Sequence, residues 1–197
     1  MLTFEPEGHV YRWSGRVVPS VTQVLARCHD FGFISREMLE AAQDRGTYVH
    51  ALCELDDMGD LDEDAERDGE FFGYLLGWRK FVADYRPNWA VIEQPFFSEG
   101  MDIAGTPDRA GVLETLGTDT WVIDIKSSVA KHRVWGMQLA AYRRMIAEKM
   151  GLRWHLARRA SVRLTPDGLY KFDEYPDKRD LPAFLGLVQY LDWETSP

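Results

Sequence analysis

The side chains with the most chemistry lie in two short segments, Gly105-Thr106-Pro107-Asp108 and Val122-Ile123-Asp124-Ile125-Lys126. Asp124 and Lys126 are two apart in a strand-forming run, so both point to one face. Asp108 closes the preceding strand or turn and reaches that face if the two strands pair. Two carboxylates converging beside an ammonium repel one another unless something binds between them. A hard divalent cation resolves the conflict, because Mg²⁺ takes oxygen ligands at about 2.0–2.1 Å and keeps several waters. Lys126 would then orient or deprotonate one of those waters. The competing reading is an inert surface Asp–Lys pair with an unrelated turn aspartate.

Neighbouring residues add to the metal reading. Gln138 and Tyr142 stand four apart in a helical pattern just after the Asp-x-Lys run, so they share a face. An amide and a phenol are suitable donors to phosphate oxygens. Lys131, Arg133, Arg143 and Arg144 surround them with the positive charge a nucleic-acid backbone requires. Upstream, Arg45-Gly46-Thr47-Tyr48-Val49-His50 places an imidazole on a helix, as a metal ligand or as a core histidine. Gly46 weakens the helix there, which implies close packing against its backbone. Glu93, isolated in Val91-Ile92-Glu93-Gln94, is a fourth acid of the same kind. Trp135 and Tyr142 are either base-stacking rings or core.

These groups need a scaffold, and the pattern supplies one. Residues 1–18 alternate apolar and polar around Glu7-Gly8 and Ser14-Gly15, as a β-hairpin does. Ser20 is positioned to cap a helix that begins at Val21. Helical spacing recurs from Ser35 to Leu55 and from Phe71 to Tyr85, where Pro87 stops it. Strands are predicted at Ala90–Phe97, Asp102–Thr106, Arg109–Leu113 and Thr120–Lys126. A helix over Gly136–Met150 follows, then strands Leu156–Leu164 and Leu169–Tyr175 about the Thr165-Pro166-Asp167-Gly168 turn, and a helix over Leu181–Trp193. The order predicts one mixed α/β (α+β) domain over residues 1–197, with a central mixed sheet flanked by helices. Residues 1–88 hold the N-terminal hairpin and helices, 89–150 the catalytic sheet and helix, and 151–197 a second hairpin and helix.

Composition narrows the class further. The 197 residues are 45% hydrophobic and 28% charged, a globular balance. No apolar run reaches the ~18–20 residues of a membrane span, and the start carries no basic-then-apolar leader. Two cysteines, Cys28 and Cys53, are too few for a disulfide scaffold or an iron–sulfur cluster, and a reduced cytoplasmic setting is expected. Net charge is −9, with ten acids between Glu54 and Glu70 and nine bases against one acid between Ser127 and Arg163. The acidic run is expected to be solvated, and the basic run to hold a polyanion along one face.

In order along the chain, Arg-Gly-x-x-Val-His, Gly-x-x-Asp, Asp-x-Lys and Gln-x-x-x-Tyr resemble the PD-(D/E)XK nuclease superfamily, in its RecB-like and Cas4-like branch. Pro19-Ser20-Val21-Thr22 further resembles the mitochondrial genome maintenance exonuclease and related phage exonucleases. The resemblance implies a restriction-endonuclease-like core and metal-dependent cleavage of DNA. It implies His50, Asp108, Asp124 and the Ile125 carbonyl as ligands for Mg²⁺ or Mn²⁺, with Glu93 as a further one. Lys126 would be the catalytic lysine, working with Asp124 and Asp108. Gln138, Tyr142, Arg45, Lys131, Arg133 and Arg143 would hold the DNA. The four cysteines of the iron–sulfur members are missing, so no cluster is expected. No phosphate-binding loop is present, so no ATP is used. A single-strand exonuclease in replication, recombination or repair is the leading expectation. A processive duplex exonuclease and a catalytically inactive DNA-end-binding module are the alternatives, and protein partners are left open.

Overall fold

A computed structural model describes residues 1–28 and 35–195. The chain opens with an antiparallel meander of β1 (Leu2–Glu5), β2 (Val10–Trp13) and β3 (Arg16–Val18). The single hairpin expected there gains a third strand because the chain turns twice, first through Gly8 and His9 and then through Ser14 and Gly15, which both take positive φ, 50° and 86°. That is the two-residue turn whose twist matches flanking strands. Ser20 then caps α1 (Val21–Ala26) in a reciprocal capping box with Gln23, as its position predicts.

Helix α2 (Arg36–Met58) starts at Ser35 and ends only at Gly59, which adopts the left-handed cap at φ 76°. It therefore outruns the predicted end at Leu55. A single turn, α3 (Glu63–Glu66), leads to α4 (Phe72–Tyr85), whose Tyr74, Trp78 and Phe81 are core residues. Arg86 closes α4 in the left-handed region and Pro87 opens β4 (Pro87–Ile92). The predicted strand over Ala90–Phe97 is in fact two. Glu93 takes φ 40° and turns the chain out of β4, so that β5 (Phe96–Ser98) pairs instead with β6 (Ile103–Gly105) in a separate ribbon.

Strands β7 (Arg109–Leu113) and β8 (Thr120–Lys126) fall where the sequence places them. Helix α5 (Val134–Met150) crosses from β8 to the parallel strand β9 (Arg158–Leu164), and β10 (Tyr170–Glu174) and α6 (Asp180–Thr195) finish the described chain. The five-stranded sheet runs β10-β9-β8-β7-β4, antiparallel except for β8–β9. The fold is thus mixed α/β around a mixed sheet.

Alternation along β8 sorts its side chains between two cores. Trp121, Ile123 and Ile125 pack with α2 and α4, whereas Val122 packs with α1, α5 and α6. Asp124 and Lys126 share the face of Val122, and so point toward α5. Among the described residues no helix is long and apolar enough to cross a membrane.

The acidic run is only partly the solvated surface its composition suggests: Asp60, Asp62, Asp64, Asp68 and Glu70 are exposed, but others are engaged. Asp57 is buried, accepting from Arg109 Nε at 2.7 Å and Trp78 Nε1 at 3.1 Å. Asp56 and Glu63 both grip Arg79 of α4, and Glu66 accepts from Tyr48. Four of the acids therefore tie α2 and α3 to the rest of the fold. Their partners lie far along the chain, beyond any local pattern.

Candidate active site

Pairing of β7 with β8 sets Arg109 opposite Ile123, which brings Asp108 alongside the end of β8. Asp108 Oδ2 accepts from the Ile125 amide at 2.6 Å. Helix α2 delivers His50 to the same place, with Nε2 2.9 Å from the Ile125 carbonyl. His50 Nδ1 lies 3.3 Å from Glu93 Oε1 and 3.7 Å from Asp108 Oδ2. Ligand atoms of His50, Glu93 and Asp108 all fall within 4.8 Å of one another. Burial works against a charged imidazole, but the carboxylates of Asp108 and Glu93 outweigh it and push His50 up to about 9. A doubly protonated ring here donates to both the Ile125 carbonyl and Glu93. It stands where a cation would otherwise neutralise the acids.

Asp124 is fully buried and faces Lys126. Lys126 Nζ lies 2.9 Å from both carboxylate oxygens but donates to Oδ1, leaving the buried Oδ2 without a hydrogen bond. Burial pushes the Asp124 carboxyl up to about 6, against the pull of Lys126. For Lys126, burial disfavours the charge, yet Asp124 and Asp108 hold the ammonium above its ordinary value. A charged Lys126 can orient a water and stabilise negative charge, but it cannot take a proton.

Gln138 and Tyr142 turn inward. Gln138 accepts from Lys126 Nζ at 3.3 Å and donates to Tyr142 Oη at 3.2 Å, and their exposures are 8% and 3%. They brace Lys126 from α5. Trp135 is buried too, with Lys126 Nζ 5.6 Å from its ring, so both aromatic candidates for base stacking belong to the core.

The remaining DNA candidates are scattered and largely engaged. Arg45 Nε donates to Ser127 Oγ at 3.4 Å. Lys131 pairs with Asp173, Arg133 with Asp177, and Arg143 donates to the Ala157 carbonyl. Farther along, Arg144 pairs with Glu148, Arg158 with Glu174, Arg159 with Asp180, and Arg163 with Asp173 and the Val129 carbonyl. Most of the basic run is thus ion-paired with acids of β10, the approach to α6 and Glu148, while Arg133 stays 81% exposed.

Two residues were beyond sequence reasoning. Arg109 is fully buried and donates at once to Asp57, to Glu93 Oε1 at 3.1 Å and to the Asp108 carbonyl at 2.7 Å. It fixes Glu93 in its left-handed turn, and Asp57 completes its charge balance. The available signal was a lone arginine directly after the Gly-x-x-Asp turn, in an otherwise apolar strand.

Gly46 also differs from expectation. Beyond its chain neighbours and its own helical turn, no atom lies within 4 Å of the position a Cβ would take there, so no other element packs on it. It lines an open cleft of about 580 Å³ together with His50, Glu93 and Thr106 on one side and Phe4, Pro6 and His9 of the meander on the other.

The donor set suits a divalent cation. One imidazole with two carboxylates and a backbone carbonyl nearby is a mixed N/O environment of the kind Mn²⁺ or Mg²⁺ accepts. Glu93 belongs to the group the structure gathers, while Asp124 is turned to Lys126. Set against known proteins, the chain matches no family model and no curated protein, so its functional reading rests on this geometry.

Proposed function

We propose that the chain is a metal-dependent nuclease of the PD-(D/E)XK kind, hydrolysing DNA phosphodiesters from single-stranded ends. One observation carries the reading: His50, Glu93 and Asp108 come from α2, the β4–β5 turn and the approach to β7, yet their ligand atoms lie within 4.8 Å beside a cleft, and Asp108 bonds the Ile125 amide between the paired Asp124 and Lys126. Titratable groups with perturbed pKa values gathered in a cleft cluster at functional sites.

His50, Glu93 and Asp108 would hold Mg²⁺ or Mn²⁺, with the Ile125 carbonyl and Asp124 within the same neighbourhood. A bound cation supplies a more acidic water and neutralises charge on a phosphate. Lys126, held charged by Asp124 and braced by Gln138, places a fixed positive charge where negative charge develops during phosphodiester attack. Arg109 keeps Glu93 in place and blocks its outward rotation.

The test is degradation of end-labelled single-stranded and duplex oligonucleotides and a circular single strand, with Mg²⁺ or Mn²⁺. Loss of the linear single strand, sparing of the circle and a drop of about 10²-fold or more with Lys126→Ala support the reading. Preferential loss of the duplex would point to the processive alternative. A gel shift without cleavage would leave a binding module, and neither cleavage nor shift would remove the proposal.

A further inference from the structure

We propose that the cleft between the N-terminal meander and α2 is a pocket for one unstacked nucleobase, with Phe4 and His9 as its stacking wall. The proposal rests on the nuclease reading and deepens it, because it names what the enzyme holds beside the scissile phosphate.

The cleft measures about 580 Å³, and His50 and Glu93 of the proposed metal group form part of its lining. A molecule seated there touches the reacting centre directly. The opposite wall is a three-ring cluster. Phe4 stacks on Tyr11 at 4.5 Å, and His9 meets Phe4 and Tyr11 edge-on at 5.3 and 5.2 Å. Tyr11 is buried behind this wall, while Phe4 is half-buried and His9 exposed to the cleft.

The wall is held to the catalytic strands. Tyr11 Oη and Thr106 Oγ1, within the Gly-x-x-Asp turn, are hydrogen-bonded at 2.8 Å. The Ala104 amide donates to the Pro19 carbonyl, and Arg16 pairs with Asp102. His9 takes φ 52°, a conformation few side chains adopt, and burial holds its imidazole below its usual pKa. A neutral ring fixed at a cleft mouth is suited to stacking, not to salt bridging.

Two further observations select the occupant. Glu54 lines the cleft with no ion-pair partner among the described residues, so an anionic phosphate group is disfavoured at that end while a neutral base is accepted. Glu54 offers a free acceptor edge to an exocyclic amine, the contact by which carboxylates read cytosine. On the facing side Gly46 leaves room that no protein atom uses, although glycine weakens the middle of α2. A base can enter only if it is out of its stack, which a single strand allows and an intact duplex resists.

The test places 2-aminopurine as the terminal base of a short single strand and follows its fluorescence on Lys126→Ala protein with Mg²⁺. Quenching that His9→Asn and Phe4→Leu each weaken about tenfold in Kd supports the pocket. Asn is chosen because it tolerates positive φ, and thermal melts check that each variant folds. A strand abasic at its terminal residue, on the otherwise unmodified active protein, gives a variant-free measure: its KM should rise about tenfold. If the chain cleaves intact and abasic strands alike and the variants bind as tightly as their parent, the pocket falls while the nuclease reading stands. If no strand is cleaved but quenching depends on His9 and Phe4, the pocket stands and the nuclease reading falls. Absence of both removes both.

Discussion

His50 is where ionisation and metal binding meet. The folded chain raises its pKa from 6.5 to about 9, because Asp108 and Glu93 outweigh its burial. In the metal-free protein its stabilising contribution is therefore full below about pH 6.5 and fades as pH rises through 9. A cation needs the ring nitrogen bare and so competes with that proton. Affinity for Mn²⁺ should climb about tenfold per pH unit from neutrality toward 9 and level off above it. Metal titrations across that range check it, and His50→Ala should flatten the dependence as well as weaken binding. A pH-independent affinity in the unmodified chain would remove His50 from the ligand set. Arg109 belongs to the same balance. Without it the Asp57 carboxylate, 6% exposed, would be left as an uncompensated charge, a situation that costs about 3–5 kcal/mol.

Two helices show how a glycine's neighbours decide its worth. Gly46 in α2 faces empty cleft, so Gly46→Ala should stabilise the chain by about 0.5–1 kcal/mol through helix propensity alone. Gly73 in α4 is the opposite case. A Cβ there would sit 1.8 Å from the Pro166 carbonyl oxygen, within the turn between β9 and β10. Gly73→Ala gains the same propensity but must push a backbone aside, and a net loss of about 1–3 kcal/mol is expected. Chemical denaturation of both variants gives the two signs, and equal signs would refute the account. The same contrast explains what was legible beforehand. Local signals found the elements: the Ser20 cap, the Pro87 stop and the β-rich runs of β7 and β8 are all written within a few residues. The convergence of Asp108, Asp124 and Lys126 followed from spacing and strand pairing, whereas His50 beside them was implied only by the family resemblance. What stayed hidden depends on distant partners. The break at Glu93 is held by Arg109 and His50, and Asp57 lies 52 residues from the arginine it meets.

The same long-range pairing reshapes the whole molecule's electrostatics. Nine bases between Ser127 and Arg163 suggest a polyanion face, but most are committed to acids within the fold. Lys149 and Arg153 are the members of that run without a carboxylate or carbonyl partner among the described residues, and Arg153 lies 5.3 Å from the Trp154 ring. With a net charge of −9, long-range attraction for nucleic acid is weak, so a bound strand must be held by the metal group and by close contacts. This has a measurable consequence. For single strands log K falls with log salt at about −0.7 per phosphate neutralised, so nine free bases would give a slope near −6. Two give about −1.4. Binding of a short single strand to Lys126→Ala protein over a range of salt concentrations should show the shallow slope, and should depend far more on divalent cation than on ionic strength. A steep slope would mean that the ion pairs around β9, β10 and α6 open on binding and release their bases to the phosphates only when a strand arrives.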